Sequence, residues 1–100
     1  MDISPDYAVK RKRKLKEPPD YKVILLNDNF TTMEFVVEVL ISIFHKSEEA
    51  ANIIMLDIHE KGSGVAGVYT KDIAFTKVQQ VTAMAAENDF PLKCIAEKAA

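Results

Sequence analysis

The sequence predicts an α+β fold: a compact single domain in which a small, mainly antiparallel sheet packs against helices in the order β-α-α-β-α-β. Short β-branched and apolar stretches at Tyr21–Leu26 and residues 65–70 are typical of strands. Between and after them, apolar residues recur at helical spacing. Strands and helices do not alternate as they do in βαβ repeats, which favours α+β over α/β. A chain of 100 residues, 48% of them hydrophobic, suffices for one domain with a thin core.

The first two helices are predicted by capping residues followed by apolar periodicity. Thr31, with Glu34 three residues later, matches a capping box. Ser47 is the expected N-cap of the second helix. The two glutamates that follow it suit the positive end of the helix dipole. Gly62 and Gly64 are expected to stop that helix. The periodic positions are Met33, Val36, Val37, Leu40, Ile41 and Phe44 in the first helix and Ala51, Ile54, Met55 and Ile58 in the second.

The third helix and the last strand have weaker boundary signals. The helix is expected to start between residues 72 and 76 and to run to about residue 88. Pro91 is expected to open a short strand over residues 92–96. The predicted inner face of the third helix consists of Val78, Val81 and Ala85.

Residues 1–20 are predicted to form a disordered basic arm, and residues 21–100 the folded domain. The arm has the run KRKRKLK over residues 10–16, tandem prolines and no apolar period. Residues 1–20 have six Lys or Arg and four acids, a net charge of +2, whereas residues 21–100 have seven Lys or Arg and eleven acids, a net charge of −4. A basic run can bind nucleic acid. Because the body is acidic, a solvated tail that aids solubility or contacts a partner is the preferred interpretation.

No motif in the sequence indicates catalysis, a metal or a membrane. Cys94 could pair with His45 or His59 as a thiol–imidazole catalyst, but a cysteine within a strand is more often a small buried apolar residue. A metal site built from Asp28 and His59 would lack the usual ligand spacing. The sequence contains no phosphate-binding motif and no apolar run of transmembrane length, and we expect no signal peptide. We therefore expect a cytoplasmic protein that is not an enzyme and has no cofactor.

The polar triplet Asn27-Asp28-Asn29, which directly follows the first predicted strand, has two interpretations. These residue types favour turns, and a turn alone would explain them. If the end of the strand lies near the end of the second helix, however, Asn27, Asp28 and His59 would form a polar rim. The apolar walls would be Met33, Met55 and Ile58. Core packing of the methionines and a dipole-stabilised His59 remain alternatives that periodicity does not decide.

Several segments of the chain together resemble one known family. The segments YKVILLNDNFTTMEFVVEVL, KSEEAANIIMLDIHEKGSGVAGVYT, TKVQQV and PLKC occur in order over about residues 20–97. They resemble the ClpS family, adaptors that bring N-degron substrates (proteins with destabilising N-terminal residues) to a Clp AAA+ unfoldase for proteolysis. The resemblance implies binding of a free α-amino group and a bulky hydrophobic first side chain (Leu, Phe, Tyr or Trp). It also implies delivery to a ClpA/ClpC-type unfoldase, whose N-terminal domain a monomeric adaptor would contact.

The resemblance also assigns roles to individual positions. The α-amino clamp falls on Asn27, Asp28 and His59, the hydrophobic pocket on Thr31, Met33, Met55, Ile58 and Leu92, and the unfoldase contact on Asp72 and Lys77. The arm corresponds to an extension that also engages the unfoldase. The chain departs from the usual pattern at Asn29 and Phe75, where the family often has an acid, and at Thr32, where it has proline. A structural interaction module with the same fold, its pocket merely core, is the rival function.

Overall fold

The computed structural model describes residues 18–99 and confirms the predicted class and element order. Most of the predicted arm, including the run KRKRKLK, therefore lies outside the described residues. The elements are β1 (Tyr21–Leu26), α1 (Met33–Ser42), α2 (Glu48–Lys61), β2 (Ser63–Tyr69), α3 (Lys71–Glu87) and β3 (Lys93–Lys98).

The sheet has three antiparallel strands in the order β2-β1-β3, so β1 lies in the middle. Val23 and Leu25 are completely buried, while Ile24 between them is only partly buried. This alternation follows from the two-residue period of a strand, which turns one face toward the helices and the other toward solvent. A register shift toward β2 between Val23 and Ile24 leaves Ala66 without a direct partner on β1.

The helices cover one face of the sheet and form the core with it. The buried face of α1 differs from the prediction, because Phe35 and Val39 are buried whereas Met33 and Ile41 are 44% and 40% exposed. The rings of Phe35 and Phe90 lie 4.7 Å apart between centroids, and this contact turns the Phe35 side of α1 inward. On α1 and α2 the buried apolar residues are Phe35, Val36, Val39, Leu40, Ala51 and Ile58.

Helix α1 starts one residue later than the capping pattern predicts. Its N-cap is Thr32, whose hydroxyl accepts a hydrogen bond from the Phe35 N–H at 3.1 Å. The prediction of Thr31 as the cap was wrong, since the Thr31 hydroxyl donates to Asp28 instead. Two adjacent threonines therefore have different tasks, one in the loop and one in the helix.

Helix α2 starts and ends where the sequence predicts. The Ser47 hydroxyl accepts from the Ala50 N–H at 3.1 Å, and Gly62 ends the helix in the left-handed conformation with φ of 92°. Gly64 does not end the helix but lies in β2. A Cβ on Gly64 would come within 2.7 Å of Cγ1 of Ile58, so this glycine permits the close packing of β2 against α2.

Helix α3 and strand β3 are shifted slightly from their predicted bounds. Helix α3 begins at Lys71, one residue before the expected range, with Thr70 as an N-cap that makes no side-chain bond. Val81 and Ala85 are buried, as predicted, together with Ala74. Strand β3 covers residues 93–98 rather than 92–96, because it pairs with the whole length of β1.

Candidate functional site

The loop that follows β1 lies against the end of α2. The Asn27 N–H donates a hydrogen bond of 2.9 Å to the carbonyl oxygen of Gly62, the residue that ends α2. His59 is in the last turn of the same helix. The rim interpretation required the end of the strand to lie beside the end of the helix. The structure has this arrangement.

A cavity of about 470 Å³ opens between this loop, the start of α1 and the last turns of α2. The polar side chains at its mouth come from the loop and from α2. Of the predicted site residues, it is lined by Asn27, Asp28, Thr31, Met33, Met55, Ile58 and His59.

The apolar part of the cavity has a rigid floor and an adaptable wall. Ile58 is 2% exposed and Val36 is 7% exposed, so both belong to the core as well as to the cavity. Met33 is 44% exposed and Met55 is half-buried. Met33 therefore does not fill the core. Unbranched, polarizable methionines let such a wall adjust to side chains of different shape.

Leu92, the remaining predicted pocket residue, does not line this cavity. It is 6% exposed and belongs to the buried core cluster. Cys94, two residues later, is also buried. Residues two apart in an extended segment share a face, and here that face is the helix-covered side of the sheet.

The Asp28 carboxylate is held by three hydrogen bonds from its own loop. Oδ1 accepts from the N–H groups of Phe30 at 2.8 Å and of Thr31 at 2.7 Å, and Oδ2 accepts from the Thr31 hydroxyl at 2.6 Å. Burial raises the pKa of the carboxyl, but the bonds from Thr31 and Phe30 outweigh it and leave the pKa below the ordinary value of 3.8. Asp28 is therefore an anion at neutral pH.

The other two predicted clamp residues have free side chains. Asn27 and His59 are both exposed, and within residues 18–99 neither the Asn27 amide nor the His59 imidazole has a hydrogen-bond partner. Both side chains line the cavity. Together with Asp28 they give it an amide oxygen, a carboxylate and an imidazole nitrogen, all of which accept hydrogen bonds.

The predicted unfoldase contact, Asp72 and Lys77, is not brought together in this way. Asp72 is exposed in the first turn of α3. The Lys77 ammonium donates a 2.6 Å hydrogen bond to the Ile43 carbonyl, at the C-terminal end of α1, and lies 6.0 Å from the ring centroid of Phe44. Lys77 thus satisfies a carbonyl group that the helix itself leaves without a partner.

The alternative of a thiol–imidazole catalyst has no support in the surroundings of Cys94. Burial raises the pKa of its thiol to about 12, so the reactive thiolate does not form at neutral pH. Across residues 18–99, no three His, Cys, Asp or Glu side chains are grouped closely enough to hold a metal ion. None of the described helices combines the length and apolarity needed to cross a membrane.

The chain can be assigned to a family by comparison with known proteins. The sequence model of "ATP-dependent Clp protease adaptor protein ClpS" matches residues 16–95. The chain belongs to the ClpS family. It is 60% identical over 82 residues to the ATP-dependent Clp protease adapter protein ClpS of Acetivibrio thermocellus, covering 82% of this chain and 83% of that protein. To the ClpS of Myxococcus xanthus it is 63% identical over 82 residues, 82% of this chain and 77% of that one.

A solved ClpS structure has the same fold. It is Agrobacterium tumefaciens ClpS2 bound to L-phenylalaninamide, with a TM-score of 0.79 and 41% sequence identity. The match covers 82% of this chain and 99% of that one. This chain therefore has both the sequence and the fold of a ClpS-type adaptor of Clp protease.

Sequence reasoning missed two apolar residues of the cavity. Val36 lies on its floor, and it is one turn beyond Met33 on α1, so helical spacing could have identified it. Phe30 lines the cavity and is 77% exposed. A large aromatic residue within a polar loop was the available signal, because such a side chain gains little from exposure to water.

Proposed function

We propose that this chain binds proteins through a free N-terminal α-amino group and a bulky hydrophobic first side chain, and delivers them to a ClpA/ClpC-type AAA+ unfoldase. The observation that carries the proposal is a single cavity with a polar mouth and an apolar interior. Asn27, Asp28 and His59 are at its mouth, and Met33 and Met55 form its wall. L-phenylalaninamide, the ligand of the related Agrobacterium protein, combines a free α-amino group with an aromatic side chain.

The three polar side chains at the mouth match the chemistry of an N-terminus. An α-ammonium group has three N–H donors and a pKa of about 7.7–8.0, so it is mostly charged at neutral pH. The Asn27 oxygen, the Asp28 carboxylate and a neutral His59 nitrogen can accept these donors. Acetylation removes the charge and adds bulk, and therefore abolishes the interaction.

The energetics are compatible with transient capture. Burying a Leu or Phe side chain contributes about 1.5–3 kcal/mol, and each charge-assisted hydrogen bond contributes about 1.5–3 kcal/mol. Three such bonds and one side chain give roughly 6–12 kcal/mol before the association cost of at least about 4 kcal/mol is subtracted. At its upper end the remainder is about 8 kcal/mol, which corresponds to a Kd on the order of micromolar and allows both capture and release.

The shape of the site favours Leu, Phe, Tyr and Trp as first residues. Their bulk begins beyond Cβ, so it enters the apolar interior between Met33, Met55 and Ile58. Ile and Val have a second branch at Cβ, where it meets the polar mouth, and they bind more weakly. Arg would bring its charge against an apolar floor made by Val36 and Ile58, which costs free energy.

Delivery requires a second surface, which we assign to the start of α3. Asp72 is exposed there and free to contact the N-terminal domain of the unfoldase. Lys77, the second residue of this contact, would reach the partner through the part of its side chain that α1 does not cover. We further propose that the adaptor acts as a monomer in the cytoplasm.

Peptides that differ only at the N-terminus test the proposed binding. Fluorescence anisotropy should show a Kd on the order of micromolar for a Leu-initiated peptide. The same peptide with an acetylated N-terminus, or with Arg as its first residue, should bind at least about tenfold more weakly. Equal binding of all three peptides would contradict the proposal. Failure of every peptide to bind would favour a structural module whose cavity has no ligand.

A further inference from the structure

The hydrogen bonds of Asp28 limit what this residue can offer to a ligand. A carboxylate has two oxygens with about four acceptor positions in total. Two donors, the N–H groups of Phe30 and Thr31, bind Oδ1, and the Thr31 hydroxyl binds Oδ2. One acceptor position on Oδ2 therefore remains for a group that enters the cavity.

We propose that Thr31 is a positioning residue of the amino-binding site: its hydroxyl holds the Asp28 carboxylate in one orientation, so that the remaining position on Oδ2 faces an incoming ammonium group. This inference rests on the proposed function. The resemblance assigned Thr31 only to the hydrophobic pocket. Because its hydroxyl hydrogen is already donated to Asp28, Thr31 acts on the ligand through that carboxylate.

The strength and direction of these bonds support the role. The Thr31 hydroxyl lies 2.6 Å from Oδ2, within the range of about 2.5–2.7 Å that marks charge-assisted O–H···O⁻ bonds. Its backbone N–H lies 2.7 Å from Oδ1, so one residue binds both carboxylate oxygens. With both oxygens bound, the carboxylate plane cannot rotate freely. A fixed acceptor loses less conformational freedom when it binds than a mobile one does.

The same bonds also shape the loop, so stability must be separated from positioning. Side-chain bonds to N–H groups two and three residues later form an Asx-type turn. The turn leads into the Thr32 cap of α1 and so places Met33 at the cavity. A purely structural Thr31 would change stability alone, whereas a positioning Thr31 also changes the titration of Asp28 and the affinity for an N-terminus.

Other charged groups near Asp28 titrate too, so Asp28 must be observed directly. His59 from α2 and Glu34 from α1 line the same cavity. Lys93 from β3 shares with Asp28 an adjacent cavity of about 370 Å³. The pH dependence of binding would mix these groups with Asp28 and with the peptide amine. The ¹³Cγ chemical shift of Asp28, measured by NMR in the free protein, reports on this carboxyl alone.

The decisive variants are Thr31→Val, which removes the hydroxyl at nearly constant shape, and Thr31→Ala, which covers the case that valine disturbs the loop. Both keep the backbone N–H. We expect each to weaken binding of a Leu-initiated peptide by about fivefold to tenfold. Each should also raise the pKa of Asp28, because a donor to its charged form is lost. Thr31→Ser restores the hydroxyl and should stay within about twofold of the wild-type Kd, with the wild-type titration.

Ser47→Ala is the matched control for stability. It removes a hydroxyl that caps α2, away from Asp28, and should lower the free energy of unfolding without altering the Kd or the Asp28 titration. The inference is overturned if Thr31→Val and Thr31→Ala bind like the wild type, leave the titration of Asp28 unchanged, or weaken binding no more than Ser47→Ala does. If the wild-type protein itself binds no Leu- or Phe-initiated peptide, the proposed function fails, and this inference fails with it. That result differs from one in which the wild type binds and the Thr31 variants bind equally well.

Discussion

The residues around the cavity and the two residues near the start of α3 differ in how the fold uses them. At the cavity, Asn27, Asp28 and His59 come from two segments far apart in sequence and line one space. On α3, Asp72 and Lys77 are five positions apart, which places them about 140° apart around the helix axis. Asp72 is exposed, while Lys77 is bound to α1. On α3, therefore, two residues that are close in sequence are not equally free to contact a partner, whereas at the cavity residues far apart in sequence line one space.

The two regions also differ in the range of their hydrogen bonds. The bonds of Asp28 span two or three residues and leave acceptors free at the cavity. The bond of Lys77 spans 34 residues and joins two helices. The first region therefore has acceptors left for a group that brings donors, whereas the ammonium of Lys77 in the second region is already bound within the fold.

The largest effect on peptide binding is expected at the cavity, from substitution of Asp28. Asp28→Ala removes the carboxylate that we propose pairs with the ammonium, and it leaves three donors without their partner. We expect peptide binding to weaken about tenfold to a hundredfold. Asn29→Ala should have a smaller effect, because Asn29 is exposed and has no charge. Fluorescence anisotropy with a Leu-initiated peptide measures both.

Asp57→Ala is the control for charge. Asp57 lies on α2, forms an exposed pair with Lys61 and does not line the cavity. Its removal should change the Kd by no more than about twofold. If Asn29→Ala weakens peptide binding more than Asp28→Ala does, the Asp28 carboxylate is not the main partner of the ammonium group.

An intermediate effect is expected for Lys77. Lys77→Met removes the ammonium that binds the Ile43 carbonyl but keeps most of the apolar side chain. The free energy of unfolding should fall by about 1–2 kcal/mol in urea denaturation, because a half-buried carbonyl loses a charged donor. Peptide affinity should not change. Lys71→Met, an exposed change on the same helix, should stay within about 0.5 kcal/mol of the wild type.

The Lys77→Met variant decides whether Lys77 stabilises the fold or contacts the unfoldase. A variant as stable as the wild type that no longer engages the unfoldase would mean that Lys77 serves the partner rather than the fold. A variant that is less stable but still engages the unfoldase would leave Asp72 as the charged residue of the docking surface.

The smallest effect is expected for His59. His59→Ala removes an acceptor that lines the cavity, and we expect it to weaken peptide binding about threefold to tenfold, because one hydrogen bond to the ammonium is lost. His59→Gln keeps an acceptor and should bind more tightly than His59→Ala in the same anisotropy measurement. If His59→Ala binds as tightly as the wild type, His59 is not part of the clamp.

The pH dependence that Asp28 adds to stability lies in the acid range. Its pKa lies below 3.8, so Asp28 is ionised at neutral pH. A carboxyl with a lowered pKa stabilises the fold above its ordinary pKa and loses that contribution as the pH falls through its folded-state pKa. We therefore expect the contribution of Asp28 to the free energy of unfolding to decline as the pH falls to about 3.8 and below, and urea denaturation at acid pH measures this.

Features set by local chemistry could be predicted from the sequence. The first strand, the Ser47 cap and the Gly62 stop depend on residues within a few positions of each other, and all three are found where expected. The N-cap of α1 was predicted wrongly, because Thr31 matches the capping box with Glu34, whereas Thr32, which caps the helix, is followed three residues later by Phe35. The cap depends on Asp28, which engages one of the two hydroxyl groups.

Features set by tertiary packing could not be predicted. The buried face of α1 depends on the contact of Phe35 with Phe90, which is remote in sequence, and the same rotation leaves Met33 at the cavity. Leu92 belongs to the core for a similar reason. The residues alone left the Asn-Asp-Asn triplet open between a turn and a rim. The structure shows both at once, since Asp28 forms a turn at the mouth of the cavity.

The central position of β1 has a mechanical consequence. Asp20, which precedes β1, accepts a hydrogen bond from the Ala99 N–H, and Asn27 follows the strand at its opposite end. A tension between the N-terminal segment and a chain held at the loop would run along β1. Antiparallel bonds lie perpendicular to their strands, so such a tension shears both ladders together instead of opening them one bond at a time. The strand that precedes the proposed binding loop is thus oriented to resist being pulled out of its own fold.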